Sequence, residues 1–582
     1  MELLMILNLD ILSFRNKFSM KIKALNNLPE LFFYQCNLQS KDKIFLSEAN
    51  NKKSYSWHQV SILVKGLAKK FNEYVSKGDR CLLISENRPE WMITDLAIMS
   101  CGGITVPAYT TYTDKDYAYI IDDCKPTIII VSNSLFQNKI TNSIRHKHIK
   151  KIFSFTKNDD LSYIDFIDFN KILRDKDSSD HFYDLKIGRK DPACIIYTSG
   201  TQGDPKGVVL SHGGILSNCE GAYEMLKPLL KNETVFLTWL PLSHSYEHTV
   251  QFLQIMIGAK VFYAESIDKL INNMMQSRPN IMTAVPRFYQ GLYQKINAKL
   301  NQSSGLQKIL INKTLELGEK ALLKNKLTII EIILNKFLDL LVRKKVRRQF
   351  GGNIKAFISG GGPLEPSVGI FLNALGLPTL QGYGLTEASP IVSCNPLDHI
   401  RIDTVGRPFN TNKVKIADDG EILVKGENIM LGYWNNHEET KKILKKGWLF
   451  TGDIGCFEGD YLKITDRKKD ILISPGGDNI SPARIENFFN QSELFFQTVI
   501  FGDNKPFLSA LIVLECNLNI DNLSIKNEID KINQKLTSVE KIKKFIIVKD
   551  PFTIDNGFMT PSMKLKRNQI IKKYETELEA LY

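Results

Sequence analysis

Arginine is scarce in this chain, histidine is scarcer, and the cysteines are never clustered. Only 16 of the 76 basic residues are arginine, so the net charge of +13 is carried by lysine and not by the planar guanidinium forks that read phosphates and base edges. A nucleic-acid partner is therefore not expected. The nine cysteines (36, 81, 101, 124, 194, 219, 394, 456 and 516) form no CxxC pair and are odd in number, which excludes a disulfide framework and a cysteine-rich zinc site. They read as reduced thiols of a cytoplasmic protein. No apolar run reaches the roughly 18 residues of a membrane span. The nearest, Thr328–Val342, is interrupted by Glu331, Asn335, Lys336 and Asp339. The first fourteen residues, MELLMILNLDILSF, are apolar but carry neither a basic leader nor a small-residue cleavage site. Residues 1–20 are read as a non-native or disordered start, with Met20 an alternative initiator.

What remains is a chain of 582 residues, 43% hydrophobic and 24% charged, the balance of a globular protein able to bury several cores. From Cys81 onward short apolar runs alternate with amphipathic stretches: CLLIS, PEWMITDLAIMSCGG, ITVPAY, TDKDYAYIIDDC, TIIIVS. This strand–helix rhythm predicts an α/β fold, and it resumes at ACIIYTSG, VFLTWL, KVFYA, IMTAV and IKAFISGGG. Ligands in such sheets bind where the strands end. After Gly382 shorter strands separated by glycine turns predict a small β-rich lobe. DRKKD then breaks the pattern, and a fresh α+β alternation runs to Tyr582. The expected organisation is a large multi-layer domain over 21–467 and a small mobile domain over 468–582. Within the first, residues 291–350 hold 13 lysines and arginines against 4 acidic residues. A helical period there places Ile329, Ile333, Phe337 and Leu340/Leu341 on one stripe. This is read as a basic helical insertion. Arg343, Lys344, Lys345, Arg347 and Arg348 beside that stripe give it the look of a dock for an anionic membrane, or equally of a packed helix with a solvated basic face.

The chemistry begins after the strand ACII, at Tyr197-Thr-Ser-Gly-Thr-Gln-Gly-Asp-Pro-Lys-Gly207. Gly200 and Gly203 free backbone N–H groups to turn inward. Thr198, Ser199 and Thr201 add hydroxyls and Lys206 adds charge, a set suited to a polyphosphate. Taken alone, the stretch also fits an ordinary Gly/Pro/Ser turn, and it lacks the Gly-Lys-Ser/Thr ending of a Walker loop.

This motif resembles the signature of the adenylate-forming superfamily of acyl-CoA synthetases, adenylation domains and luciferases, and five more matches follow in order. Ser359–Leu364 is similar to the family's adenine-side loop, which carries Gly361 and Gly362. Gln381–Glu387 is similar to its nucleotide and metal motif, with Tyr383, Gly384, Thr386 and Glu387. Thr451-Gly-Asp453 resembles the ribose motif, Asp466–Asp470 the hinge with Arg467 and Lys469, and Thr560–Arg567 the terminal catalytic-lysine motif. Met563 stands where the family commonly has glycine. The resemblance implies a two-step reaction in which a carboxylate attacks the α-phosphorus of ATP and coenzyme A then displaces AMP.

Elementary chemistry agrees with what the resemblance implies. Two anions must be brought together, so cations and backbone donors should dominate the site. Lys564, a point charge on a flexible stem, is expected to bridge carboxylate and α-phosphate. Glu387 would hold Mg²⁺, with Thr198 a secondary oxygen donor. Tyr383 would offer a face to adenine, Asp453 would accept the ribose hydroxyls, and Gly476 and Gly477 would let the backbone approach the pantetheine arm. Each has a plainer alternative: core packing for Tyr383, turn or surface positions for the rest. His244-Ser-Tyr-Glu-His248 fits an inverted zinc-protease pattern. It resembles instead a second superfamily motif whose histidine, here His244, faces the carboxylate. NRPEWMITDLAIMSCGGITVPAY, AVPRFYQGLY and NGFMTPSMKLKR look most like long-chain fatty-acid ligases. Fatty acid is thus the favoured substrate. The runners-up are a medium-chain or aromatic-acid CoA ligase and an acyl-AMP ligase that loads a carrier protein. An inactive membrane-associated lipid-binding protein is the alternative of another class.

Overall fold

A computed structural model describes residues 24–582 apart from 142–147, 158–163, 176–185, 199–204, 231–232, 325, 493, 516–520, 555 and 561–563. The proposed start over residues 1–20 lies outside the described residues. The α/β reading holds. Two large sheets face each other across a layer of helices. One has nine strands, in the spatial order Arg407–Pro408, Ile391–Cys394, Thr379–Gly384, Ala356–Ser359, Ile281–Ala284, Val235–Thr238, Lys260–Tyr263, Ile44–Glu48 and Ser54–Ser56. The other has eight, running from Gly432–Tyr433 through Lys206–Ser211, Pro192–Thr198, Ile104–Ala108, Arg80–Ile84, Ile128–Val131 and Lys151–Ser154 to Ile164–Phe166. Most neighbouring pairs in both are parallel.

Parallel strands covered on both faces need continuous apolar runs, which is why Ile128–Val131 is Ile-Ile-Ile-Val and wholly buried. The helices between the sheets are buried on most of their surface for the same reason. Pro89–Ser100 exposes none of its residues and packs against Ile44–Glu48 of one sheet and Ile104–Ala108 of the other. His212–Leu226 bridges the two sheets similarly, touching Lys206–Ser211 and Ile391–Cys394. The helix Ser245–Ile257 connects the parallel strands Val235–Thr238 and Lys260–Tyr263.

The β-rich lobe is a five-stranded antiparallel sheet over Asn412–Arg467. It starts later than the sequence texture indicates, because Thr379–Gly384 still pairs in parallel with Ala356–Ser359 in the nine-stranded sheet. Beyond Arg467 a three-stranded sheet (Phe495–Phe501, Leu508–Leu514, Ile542–Val548) carries helices Pro482–Phe489 and Asn522–Asn533 on one side. The segment 291–350 is the connection between the parallel neighbours Ile281–Ala284 and Ala356–Ser359. It consists of helices Pro286–Asn301 and Gly305–Lys324, then Ile329–Arg348 with a π-turn at Asp339–Arg343. Its small core is Ile311, Leu317, Leu338 and Val342. Among the described residues no helix is long and apolar enough to cross a membrane.

Candidate functional site

A cavity of about 970 Å³ opens where the nine-stranded sheet, the β-rich lobe and the last hundred residues meet. Its walls are strand ends, as the fold class requires: Thr198, Thr283, the turn Ser359–Gly361 and the run Gly382–Glu387. The cations of its lining are Lys206, Lys442, Lys445, Arg467, Lys468, Lys469 and Lys564. Its apolar lining, Ile196, Ala222, Leu226, Phe236, Val250, Leu253 and Phe409, belongs to one contiguous core cluster.

Of the sequence-predicted residues, Thr198, Lys206, His244, Gly361, Tyr383, Gly384, Thr386, Glu387, Arg467, Lys469 and Lys564 all line this one cavity. They come from segments up to several hundred residues apart. Ser199, Gly200, Thr201 and Gly203 lie outside the described residues. Gly362 does not line the cavity. Gly361 adopts φ +82°, a left-handed conformation that strains any L side chain. Asp453 does not itself line the cavity: it is buried behind Tyr383, whose hydroxyl donates to Asp453 Oδ2 at 2.6 Å, while Arg467 Nε lies 3.2 Å from Oδ1. Burial and the Asp453 carboxylate push the Tyr383 hydroxyl well above its ordinary pKa, so it stays a donor. The Tyr383 ring also packs in the lobe's apolar cluster with Val405, Ile422 and Leu449. Gly476 and Gly477 are exposed in the hairpin turn between Leu472–Ile473 and Asn479–Ile480 and do not line the cavity.

His244 is the N-cap of Ser245–Ile257, its Nδ1 accepting the Tyr246 N–H at 3.1 Å. Burial, aided by the nearby Lys564 charge, lowers its pKa to about 4. The ring is therefore neutral, and with Nδ1 committed the proton sits on Nε2. Asn87 fixes the approach to this cap, donating to Leu240 O at 2.6 Å and accepting from Leu242 N at 3.0 Å. Lys564 reaches the water of the cavity, yet surrounding protein and the Arg467 charge lower its pKa to about 8. Its backbone is held by Thr560, which accepts the Lys564 N–H at 3.0 Å. Glu387 accepts from Tyr433 Oη at 2.8 Å.

The zinc reading of His244–His248 fails on geometry. His248 is buried with Nε2 2.8 Å from Asp95 Oδ2, while His244 caps the helix and faces the cavity. Among the described residues no three His, Cys, Asp or Glu side chains converge as a metal set. The basic-insertion reading also needs correcting. Arg343 is buried and donates to the carbonyls of Ala374, Asn335 and Thr314, and Arg347 makes a fork onto Asp339. Arg343 thus ties the crossover to the helix Pro366–Ala374 and Arg347 is tied within the crossover, leaving Lys344, Lys345 and Arg348 on the surface.

Sequence reasoning missed Tyr246, Tyr433, Glu439 and Lys442. Tyr246 donates to Ile358 O at 3.1 Å, its ring lying so close on Gly360 that a Cβ there would stand 2.9 Å from Cε1. Tyr433 and Glu439 lie in YWNNHEETKK, which has no signal until Gly432–Tyr433 is seen to pair with Val208–Val209 beside Lys206.

Known proteins give the arrangement its family. The AMP-binding enzyme family matches residues 32–434, and the AMP-binding enzyme C-terminal domain matches 469–582. The chain is 29% identical to the long-chain-fatty-acid–CoA ligase FadD15 of Mycobacterium tuberculosis, over 87% of this chain and 88% of that protein. It is also 29% identical to fatty acyl-CoA synthetase A of Dictyostelium discoideum, over 87% and 82% respectively. In fold it is similar to ATP-bound MatB from Rhodopseudomonas palustris, with a TM-score of 0.73 and 21% identity, over 95% of this chain and 100% of that one. With six motifs in order, two family matches that together span most of its length, and one cavity that gathers the motif residues, this chain belongs to the AMP-binding enzymes.

Proposed function

We propose that the enzyme is a long-chain fatty-acid–CoA ligase: fatty acid and ATP give acyl-adenylate and pyrophosphate, and the thiol of coenzyme A then displaces AMP. The observation that carries this reading is one cavity whose lining joins a set of cations to a contiguous cluster of apolar side chains. Lys206 and Lys564 serve the phosphates, Arg467 beside Asp453 serves the ribose side, and the neutral His244 donates from Nε2 toward the carboxylate. Tyr383, backed by Asp453, orients the nucleoside. Glu387 and Thr198, a carboxylate and a hydroxyl facing the same space, are the hard oxygen donors that would hold Mg²⁺. When bound, that ion neutralises phosphate charge. Lys564 leads the adenylation step and then has to withdraw for the thiol, with Lys469 as the pivot. In that second arrangement the backbone at Gly476 and Gly477 approaches the pantetheine arm. The chain divides accordingly at 467/468.

Pyrophosphate release over a panel of C2 to C18 and aromatic acids, with and without coenzyme A, tests this. Each methylene buried against the apolar lining contributes about 0.8 kcal/mol, so kcat/KM should be far higher for C12 to C18 than for C2 to C6. Best turnover of acetate or benzoate would overturn the long-chain assignment.

A second, independent observation supports peripheral contact with an anionic membrane. Ile329, Ile330, Ile333, Phe337 and Leu340 of the crossover are 54–78% exposed, as are Leu306 at 71% and Ile309 at 64% on the preceding helix. Lys344, Lys345 and Arg348 flank them, and each basic group near an anionic leaflet is worth about 1 kcal/mol. Replacing those three by glutamine should weaken sedimentation with phosphatidylserine vesicles; unchanged sedimentation would reject this contact.

A further inference from the structure

Lys206 already has a carboxylate partner. Its ammonium pairs with Glu439, and the same Glu439 pairs with Lys442. Two structural features hold Glu439 in place. Tyr433 is locked beside Lys206 by strand pairing of Gly432–Tyr433 with Val208–Val209, and Asn436 caps the helix His437–Ile443 by accepting the Glu439 N–H at 3.1 Å. Lys206 Nζ also lies 5.3 Å from the centre of the Tyr433 ring, whose hydroxyl donates to Glu387. Lys206, Glu439 and Lys442 all line the cavity, and none belongs to its apolar cluster. One carboxylate thus serves two ammonium groups, in the part of the cavity where the outer phosphates of a nucleotide belong if the adenylation reading above is right.

We infer that Glu439 is the resident counter-anion of Lys206, displaced when the outer phosphates of ATP bind, and that Lys442 is a second cation for those phosphates and for departing pyrophosphate. The inference rests on the proposed adenylation but assigns residues outside its motifs. A free phosphate site with two adjacent ammonium groups would repel itself. An internal carboxylate relieves that repulsion without filling the cavity, and at 29% exposure it is wet enough to be exchanged cheaply. Hydrogen bonds from Lys206 first and Lys442 second hold the Glu439 carboxyl down to about 2, so it is ionised at any working pH. Returning to Lys206 after the reaction, Glu439 also competes against pyrophosphate and so favours its departure.

Isothermal titration of the full chain with ATP, pyrophosphate and AMP, wild type against Glu439→Gln, tests this. ATP and pyrophosphate should each bind roughly three- to fivefold tighter, the range available from a partly exposed ion pair. AMP, which has no outer phosphates, should bind unchanged. In a Lys206→Ala/Lys442→Gln background Glu439→Gln should no longer tighten either ligand, in Lys206→Ala alone the tightening should be reduced, and Lys442→Gln should weaken pyrophosphate but not AMP. In kinetics, KM for ATP should fall and pyrophosphate should inhibit more strongly. Three results would overturn the inference: unchanged or weaker ATP binding by Glu439→Gln, equal tightening of AMP, or tightening that survives undiminished when both Lys206 and Lys442 are replaced. Should Glu439→Gln fail to fold, Glu439→Asp, shorter by one methylene, replaces it with the same expected directions. A wild type that binds no ATP would overturn the adenylation reading itself.

Discussion

Two crossover helices of the nine-stranded sheet meet opposite fates. Ser245–Ile257 carries Glu247, His248, Gln251 and Gln254 and still buries 12 of its 13 residues. Ile329–Leu338, the more apolar of the two by sequence (IIEIILNKFL), buries only Leu338. Position in the layers decides burial here, not hydrophobicity. A helix caught between two sheets has no wet face, so each polar group on it needs a partner. A helix on the outer crossover can leave apolar groups in water at a cost in transfer free energy, and a patch of them marks a surface that something else covers. Buried polarity on the first helix and exposed apolarity on the second are thus the same kind of signal, a local rule broken where the molecule works.

The largest expected effect on this comparison lies at Asp95. It accepts from His248 Nε2 at 2.8 Å and from Gln251 Nε2 at 3.0 Å, all three side chains being buried. Burial alone would lower the His248 pKa, but the Asp95 carboxylate, helped by Cys194, pushes it up to about 10 from its ordinary 6.5. Asp95→Asn leaves a buried imidazolium unpaired and should lower the unfolding free energy by about 3–5 kcal/mol in urea titrations at neutral pH. The sign with pH follows. A raised histidine pKa stabilises fully below 6.5 and stops doing so as pH rises through 10, so the deficit of the variant should shrink above that range. A deficit under 1 kcal/mol would mean that the polar groups of this helix are tolerated and do no structural work.

Next in size is Lys564→Ala. Losing a cation aimed at developing phosphate charge should slow acyl-adenylate formation by about 10² or more. Thioester formation from supplied acyl-adenylate should suffer much less. Because the ammonium of Lys564 is lowered to about 8, kcat/KM for adenylation should decline as pH rises through that value. Lys564→Arg should move the decline upward. Equal loss in both half-reactions would make Lys564 structural.

Lys469→Pro is the mirror image. Backbone pairing ties the chain to the lobe as far as Lys468, whose N–H donates to Gly452 O at 2.9 Å and whose ammonium sits 2.6 Å from Asp419 Oδ2 and 3.0 Å from Glu421 Oε2. Rotation therefore has to begin just beyond it. Proline fixes φ near −65° without adding bulk in the cavity. Adenylation should survive in good part and thioester formation be largely lost. A variant that slows both steps alike, or neither, would displace the pivot from Lys469.

The α/β class was legible because parallel strands leave unbroken apolar runs such as TIII and CLLI, and the motif residues because their order along the chain carries more information than any one of them. The shape of the site was not legible. Nothing in YWNNHEETKK announces that Glu439 reaches Lys206, since the contact depends on a two-residue strand, Gly432–Tyr433, joining a sheet built more than two hundred residues earlier. Spacing in sequence likewise could not tell Arg343, buried under three carbonyls, from its exposed neighbour Lys344. Both look like members of one basic cluster until the helix Gly305–Lys324 closes over one of them.

The smallest expected effect sharpens the comparison from its other side. Ile333 and Phe337 are one helical turn apart, 65% and 54% exposed, and outside the crossover's core cluster. Replacing both by serine removes no buried contact, so the stability change should stay within about 0.5 kcal/mol, against several for Asp95→Asn. Pyrophosphate release on a short, freely soluble acid should be unchanged, because neither residue lines the cavity. Sedimentation with phosphatidylserine vesicles should nevertheless fall, and fall further when combined with Lys344→Gln and Lys345→Gln, as apolar insertion and charge attraction act on one face. If the double serine variant instead unfolds several degrees earlier than wild type, these side chains pack against protein, and the contrast between the two helices collapses.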